Sequence, residues 1–161
     1  MISLSQETAD DFFEVEALYD LCFGVGRKAL SSYRLRDGVS PVAQLSLLAR
    51  DGEIVTGAIR YWPVRIDDAK ALLLGPVAVH PTHQGEGLGG YLICESLKLA
   101  QLAGWERVML IGDAPYYARF GFTLLANVQM PPPTDQARIL GRDLQKGAWG
   151  GVSGQVCLWQ D

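Results

Sequence analysis

The residues with the most chemical content stand in one run, HPTHQGEGLGGYL, from His80 to Leu92. Gly85-Glu86-Gly87-Leu88-Gly89-Gly90 matches the dinucleotide fingerprint G-x-G-x-x-G, and read from Gln84 the same run matches Q-x-x-G-x-G. Glycines let backbone amides approach a polyanion. A helix opening directly behind them adds unpaired N–H groups and a dipole equivalent to about half a positive charge. Phosphate is the natural occupant of such a loop; a glycine turn that only packs a helix on a sheet is the plainer alternative. Downstream, Asp113, Tyr116 and Tyr117 supply a carboxylate and two phenols, while His80 and His83 are the only two histidines. Three residues apart and without a clear third ligand, the histidines make a poor zinc site, so no metal is expected. They read as linker residues, with His80 as a secondary candidate base.

The elements around the loop decide what it can hold. Ala71 to Val79 is apolar almost throughout, as expected of a strand buried on both faces, but it contains Gly75-Pro76, which predicts a bulge or a parting of strands. Leu88 to Ala103 carries a helical apolar face of Leu92, Ile93, Ser96, Leu97, Leu99 and Ala100, stopped by Gly104. Arg107 to Ile111 reads as a further buried strand, so the unit is strand, loop, helix, strand, with a parallel crossover. Before it come an opening strand in MISLS, a helix over Thr8–Phe23, a shorter helix over Arg27–Arg36, and a hairpin of Ala43–Arg50 and Ile54–Tyr61 about Asp51-Gly52. After it come a helical turn at Pro115–Arg119, a strand over Phe122–Met130, a partly helical or irregular Asp135–Lys146, and a last strand over Val152–Trp159. The glycines from Gly147 to Gly154 read as a bend into that strand. The expected fold class is α/β of the α+β kind.

Two nucleotide readings fail on this layout. A Rossmann site needs its first glycine just after the strand, and an acid about 20 residues on for the ribose. Asp113 could pass for that acid, but His-Pro-Thr-His-Gln separates strand from glycines, and too little chain follows to complete the half-domain. A Walker loop is excluded because no Lys-Ser or Lys-Thr follows.

Composition narrows the class. At 161 residues the chain suits one domain, and 48% hydrophobic with 20% charged residues is ordinary for a soluble globular protein. A net charge of -4 leaves no basic stripe, argues against nucleic acid, and mildly favours a neutral or cationic substrate. Cys22, Cys94 and Cys157 form no C-x-x-C pair, which suits free thiols in a reducing compartment. No signal core and no spanning segment are evident, so a cytoplasmic location without membrane partners is expected.

The stretch LLLGPVAVHPTHQGEGLGGYLI resembles the acetyl-CoA motif of the GNAT N-acetyltransferase superfamily. There a buried strand ends in V-x-V, a short linker follows, and (Q/R)-x-x-G-x-(G/A) opens a long helix. The matching residues are Val77-Ala78-Val79, His80-Pro81, and Gln84-Gly85-Glu86-Gly87-Leu88-Gly89. Tyr117-Ala118-Arg119-Phe120-Gly121-Phe122 resembles a second family element at the expected distance, and the tail DLQKGAWGGVSGQV is similar to a bacterial branch of predicted acetyltransferases. The resemblance covers at least Ala43 to Phe122 and extends plausibly over the whole chain as a single domain.

The resemblance implies a mostly antiparallel mixed sheet with a bulged, splayed central strand pair and flanking helices. It implies acetyl-CoA as acyl donor, with the amides of Gln84 to Gly90 cradling its pyrophosphate and the backbone of Val77 to Val79 pairing with the pantetheine arm. A backbone amide near Val77 or Val79 would stabilise an oxyanion. It places Tyr117 as general acid, a sensible role because a phenol of pKa about 10 can protonate a thiolate whose acid has pKa about 8.5. Tyr116 would line the slot. Two departures stand out. The asparagine that many relatives use to reach the pantetheine is missing from Leu110–Pro115, leaving Asp113 as a substitute, and Leu72, Leu73 and Leu74 occupy the strand where many carry a glutamate base. The acceptor is expected to be an amine of a small molecule or a protein; a homodimer and a non-catalytic acyl-CoA-binding module on the same fold remain open.

Overall fold

In the computed structural model, which describes residues 1–159, nine strands join in sequence and space around one long helix. β1 (Ile2–Gln6), α1 (Phe12–Phe23), β2 (Leu47–Asp51), β3 (Ile54–Ile66) and β4 (Ala69–Val79) form the first half. α2 (Leu88–Leu102), β5 (Arg107–Ile111), α3 (Ala114–Tyr117), β6 (Thr123–Leu124), β7 (Val128–Gln129), β8 (Ile139–Asp143) and β9 (Gly154–Leu158) form the second. The sheet runs β1-β2-β3-β4-β5-β8-β6, with β9 on β3 and β7 on β9. Every pairing is antiparallel except β4–β5 and β7–β9.

Period-two alternation sorts the strands' side chains between two layers. Leu47, Ala49, Ile59, Tyr61, Leu72, Leu74, Val108 and Leu110 meet the face of α2. Leu48 and Ala58 meet Val15, Leu18 and Tyr19 of α1, whereas Trp62, Val64, Leu73 and Met109 meet Leu35, Val128 and Val156. On α2, Leu92, Ile93, Leu97 and Ala100 are buried, while Leu99 is 40% exposed and lies outside the face expected from sequence. Each buried aliphatic side chain contributes about 1.5–3 kcal/mol, against about 0.3–1 kcal/mol for a charge at a helix end. The helix is therefore held by its face, and its N-terminus needs no cap to stay in place.

The bulge sits where Gly75-Pro76 predicted it. Val77 pairs with Ile59 and Leu74 with Tyr61, so two residues of β4 oppose Arg60 alone. The displaced carbonyls are satisfied by side chains: Trp62 Nε1 donates to Gly75 O at 2.7 Å, and the Tyr19 hydroxyl donates to Pro76 O at 3.2 Å. Arg60 itself is buried and paired with Glu7 at 2.9 Å and Glu16 at 2.7 Å, an arrangement whose disruption costs about 3–5 kcal/mol. On its other edge β4 pairs with β5 only at Leu72–Val108 and Leu73–Met109, after which the two strands part.

Several expected elements change form. The helix expected over Arg27–Arg36 is two 3₁₀ segments, Val25–Ala29 and Ser31–Arg36. Ala43–Leu45 is a 3₁₀ turn, and only Leu47–Asp51 of that segment is strand. Phe122–Met130 breaks at a turn over Ala126–Asn127 because its halves have different partners, β8 and β9. The irregular stretch expected over Asp135–Lys146 instead contains β8, which pairs along all of β5. Within β8, Gly141 leaves room for a neighbour: a Cβ there would lie 2.7 Å from Leu125 Cδ1.

Candidate active site

In the loop between β4 and α2 the amides of Gln84 to Gly87 have no backbone acceptor among the described residues, whereas those of Thr82 and His83 bond back to His80. Gly87 is the N-cap of α2 with φ 80°, a left-handed conformation that glycine adopts without strain, and no side chain caps the helix. Tyr91 N–H bonds back to Gly87 O at 3.0 Å, so the amides of Leu88, Gly89 and Gly90 lie ahead of the first intrahelical bond. Gly85, with φ 84°, and Gly87 have open space where a Cβ would stand. Gln84 does not reach over the loop; its Nε2 donates to Val79 O at 3.1 Å and ties strand end to loop. Glu86 is exposed, and Leu88 is buried in the core. An open groove of 720 Å³ runs over these residues, walled by Val79 on one side and by Tyr116 and Phe120 on the other. A Cβ on Gly89 would lie 3.7 Å from the Tyr116 hydroxyl, which places that phenol beside the helix N-terminus.

Beyond the bulge a second cavity of 340 Å³ is lined by Gly75, Pro76 and Val77 of β4, by Ile111 and Gly112 at the end of β5, and by Tyr117. Ala78 points the other way, into the core under α1. Tyr117 stands in an aromatic cluster, edge-on to Tyr116 at 4.9 Å and to Phe122 at 5.9 Å. Its hydroxyl has no hydrogen-bond partner among the described residues. Burial, with the charges of Tyr116 and Asp113 adding to it against Arg138, pushes its pKa up to about 12. The phenol is therefore a proton donor across the whole neutral range. Asp113 lines the same cavity, but its carboxylate caps α3, accepting from Tyr116 N–H at 3.1 Å.

The fold thus sets two openings along β4: the groove with the glycine loop, Val79 and Tyr116, and the cavity with Val77, Tyr117 and Asp113, the last also tied as a cap. Of the two histidines, His83 lines the groove and His80 lines neither opening. His80 Nδ1 accepts from Thr82 N–H at 3.2 Å, and His83 Nε2 meets Asp51 at 3.1 Å, so both brace the linker. Leu72, Leu73 and Leu74 are fully packed and offer no base. No group of three or more His, Cys, Asp or Glu side chains that could hold a metal is found among the described residues, and none of its helices is long and apolar enough to cross a membrane. Cys22, Cys94 and Cys157 are free thiols.

Two structural roles escape sequence reading. Trp62 holds the bulge, and Gly112 makes room for Tyr117, since a Cβ there would lie 2.5 Å from the Tyr117 ring. Only a Gly directly before the Asp-Ala-Pro turn hinted at the second.

A family model described as the acetyltransferase (GNAT) domain matches residues 42–124, the hairpin through Tyr117. The chain belongs to the GNAT acetyltransferases. Among relatives in this family, the Escherichia coli K12 N-acetyltransferase YjhQ is 35% identical over 118 residues, which span 71% of this chain and 64% of that protein. The E. coli N-acetyltransferase YhbS is 34% identical over 70% of each. The crystal structure of E. coli YhbS in complex with CoA superposes with TM-score 0.84 at 27% identity, covering 98% of this chain and 89% of that one. A Brucella melitensis GNAT acetyltransferase in complex with acetyl-CoA gives 0.72 at 28% identity over 99% and 96%. The mixed, mostly antiparallel sheet with flanking helices is the family's fold, and in this chain β4 contributes to both the groove and the cavity.

Proposed function

We propose that this protein transfers an acetyl group from acetyl-CoA to the primary amine of an acceptor, directly and with Tyr117 as proton donor. The observation that carries the reading is the parting of β4 from β5 after Leu73–Met109, with free helix amides on one side and the Tyr117 hydroxyl on the other. Acetyl-CoA supplies an activated acyl group on a thiol leaving group, and the residues present suit it. The amides of Gly85 to Gly90 would hold its pyrophosphate, which the open space above Gly85 and Gly87 admits. From Leu74 to Val79 the β5-facing edge of β4 has no strand partner among the described residues. With the Gly75, Pro76 and Val79 carbonyls engaged by Trp62, Tyr19 and Gln84, the remaining backbone groups of Val77 and Val79 would pair with the pantetheine amides. Val79 and Tyr116 would flank that arm. Tyr117 would give its proton to the departing sulfur and be restored by the proton the amine releases, so charge balances over one cycle.

Amine deprotonation has no assigned side chain, because the one carboxylate lining the cavity is occupied as a helix cap. That observation favours a second reading, an acyl-CoA-binding module without turnover. CoA release measured across a panel of amines separates the two. Saturable acetyl-CoA binding with release that Tyr117→Phe suppresses supports transfer. Binding with no release for any amine leaves the module, and full activity in Tyr117→Phe removes the phenol from its role.

A further inference from the structure

The cavity beyond the bulge carries a charge that nothing above explains. Arg36, at the end of the second 3₁₀ segment, lines it, and its guanidinium lies 4.1 Å from the Tyr33 ring centroid and 5.4 Å from that of Trp62. Its Nε and Nη1 are buried without a hydrogen-bond partner, and it has no ion pair among the described residues. Its Nη2 reaches the bulge itself, 3.5 Å from where a Cβ of Gly75 would stand. The neighbouring Arg27 shows what a satisfied arginine looks like here: it bonds Asp20 at 3.0 Å, Glu16 at 3.1 Å and the Tyr33 hydroxyl at 2.9 Å. Arg138 enters the same cavity from the turn before β8, again with no ion pair among the described residues. The only acid in the lining is Asp113, already held by the Tyr116 amide.

A guanidinium with orphan donors is costly, and with Nε and Nη1 shut off from solvent it presents Nη2 at the bulge, where an anion would add a charge-assisted hydrogen bond. Burial holds the Arg36 pKa down to about 10, so the group is still cationic at neutral pH. The cavity's 340 Å³ suits a small molecule, at the low end of the range for ligand pockets. The net charge of -4 makes this local excess of cations the more telling, because the rest of the chain repels anions.

We infer that the acceptor is a small primary amine bearing a carboxylate, an amino acid or a close analogue, with Arg36 binding the carboxylate and Arg138 assisting. The inference rests on the transfer reading above, whose slot it extends on the acceptor side. Arg36 orients the acceptor so that its amine faces the acyl group near Val77; no bond to Arg36 forms or breaks.

Two readouts test it. Equilibrium binding of the common L-amino acids and short ω-amino acids to the CoA-loaded protein is compared with binding of their carboxamides, and CoA release from acetyl-CoA is compared for the same pairs. At least one acid should bind and react roughly ten- to a hundredfold better than its amide. Arg36→Met should collapse that ratio toward one and Arg36→Lys retain part of it, with acetyl-CoA affinity unchanged in both as proof of fold. Acids that bind preferentially without CoA release would uphold the anion site and defeat the transfer reading. Amides or simple amines that react as well as the acids would uphold transfer and overturn the anion site. A panel in which no acid binds better than its amide overturns it too, and that comparison in the unaltered protein needs no variant to fold.

Discussion

The groove over the glycine loop and the cavity beyond the bulge share β4 as a wall, yet they are made of different material. The groove is floored by backbone from one stretch, the strand end at Val79 and the glycine loop into α2, and only its far wall of Tyr116, Arg119 and Phe120 comes from elsewhere. The cavity is side chains from distant segments, with Arg36, Gly75, Gly112, Tyr117 and Arg138 brought together only by the fold. A backbone site suits a ligand that every family member shares, because it tolerates side-chain change so long as the chain path is kept. A side-chain site suits a ligand that differs from protein to protein. On the proposed function, cofactor binding and acceptor choice fall on different sides of β4, and variants on the two sides should fail in different ways.

The largest effect is expected at the junction. Tyr117→Phe removes the proposed proton donor and leaves the groove's own lining untouched, so kcat should fall by roughly 10²- to 10³-fold while acetyl-CoA affinity stays near the parent value. Equal losses in both would mean that the two regions are not separable. Gly87→Val attacks the other side. A β-branched residue at φ 80° is strained and crowds the open space above the loop, so acetyl-CoA Kd should rise by about ten- to a hundredfold, seen by calorimetry, with kcat at saturation little changed. Next comes Gly112→Ala, whose methyl collides with the Tyr117 ring at 2.5 Å. Displacing that ring should cost roughly tenfold in kcat and leave acetyl-CoA binding intact. An alanine that lowered affinity instead would place Gly112 with the groove.

The smallest effect is one of pH. The Tyr117 phenol has a folded pKa of about 12 against about 10 when unfolded. Below pH 10 it is protonated in both states. Between about pH 10 and 12 the unfolded chain loses the proton first, so this group's share of stability is lost as pH rises through that window. A rate profile should climb as the acceptor amine deprotonates, with no falling limb from Tyr117 before about pH 10. A fall between pH 8 and 9 would assign the donor role to another group.

Much of the groove was legible beforehand because its determinants are local. The apolar run Leu72 to Val79, the Gly75-Pro76 interruption and the glycines leading into Leu88 each fix backbone shape within a few residues. Where sequence reading missed, long-range packing had taken over. Asp135–Lys146 reads as partly helical or irregular but contains β8, which is held by its pairing with β5, and Phe122–Met130 changes sheet partner at a turn that no alternation announces. Asp113, read as a substitute ligand for the pantetheine, lines the cavity, and the cap its Oδ2 makes to Tyr116 N–H is the part no spacing announced. The mild preference for a neutral or cationic substrate came from net charge, which averages over a surface. Inside the cavity the local balance runs the other way.

The sequence by itself determined the family, the bulge, the phosphate-suited loop and the phenol at Tyr117, since each rests on residues whose spacing sets geometry over one or two turns of chain. Only the tertiary structure decided what surrounds them. It tied Trp62 to Gly75, seated Tyr117 against Gly112, and left Arg36 buried among aromatic rings without a carboxylate. Those facts depend on which side chains meet across dozens of intervening residues, and burial and charge at a point are set by such neighbours rather than by the order of the chain.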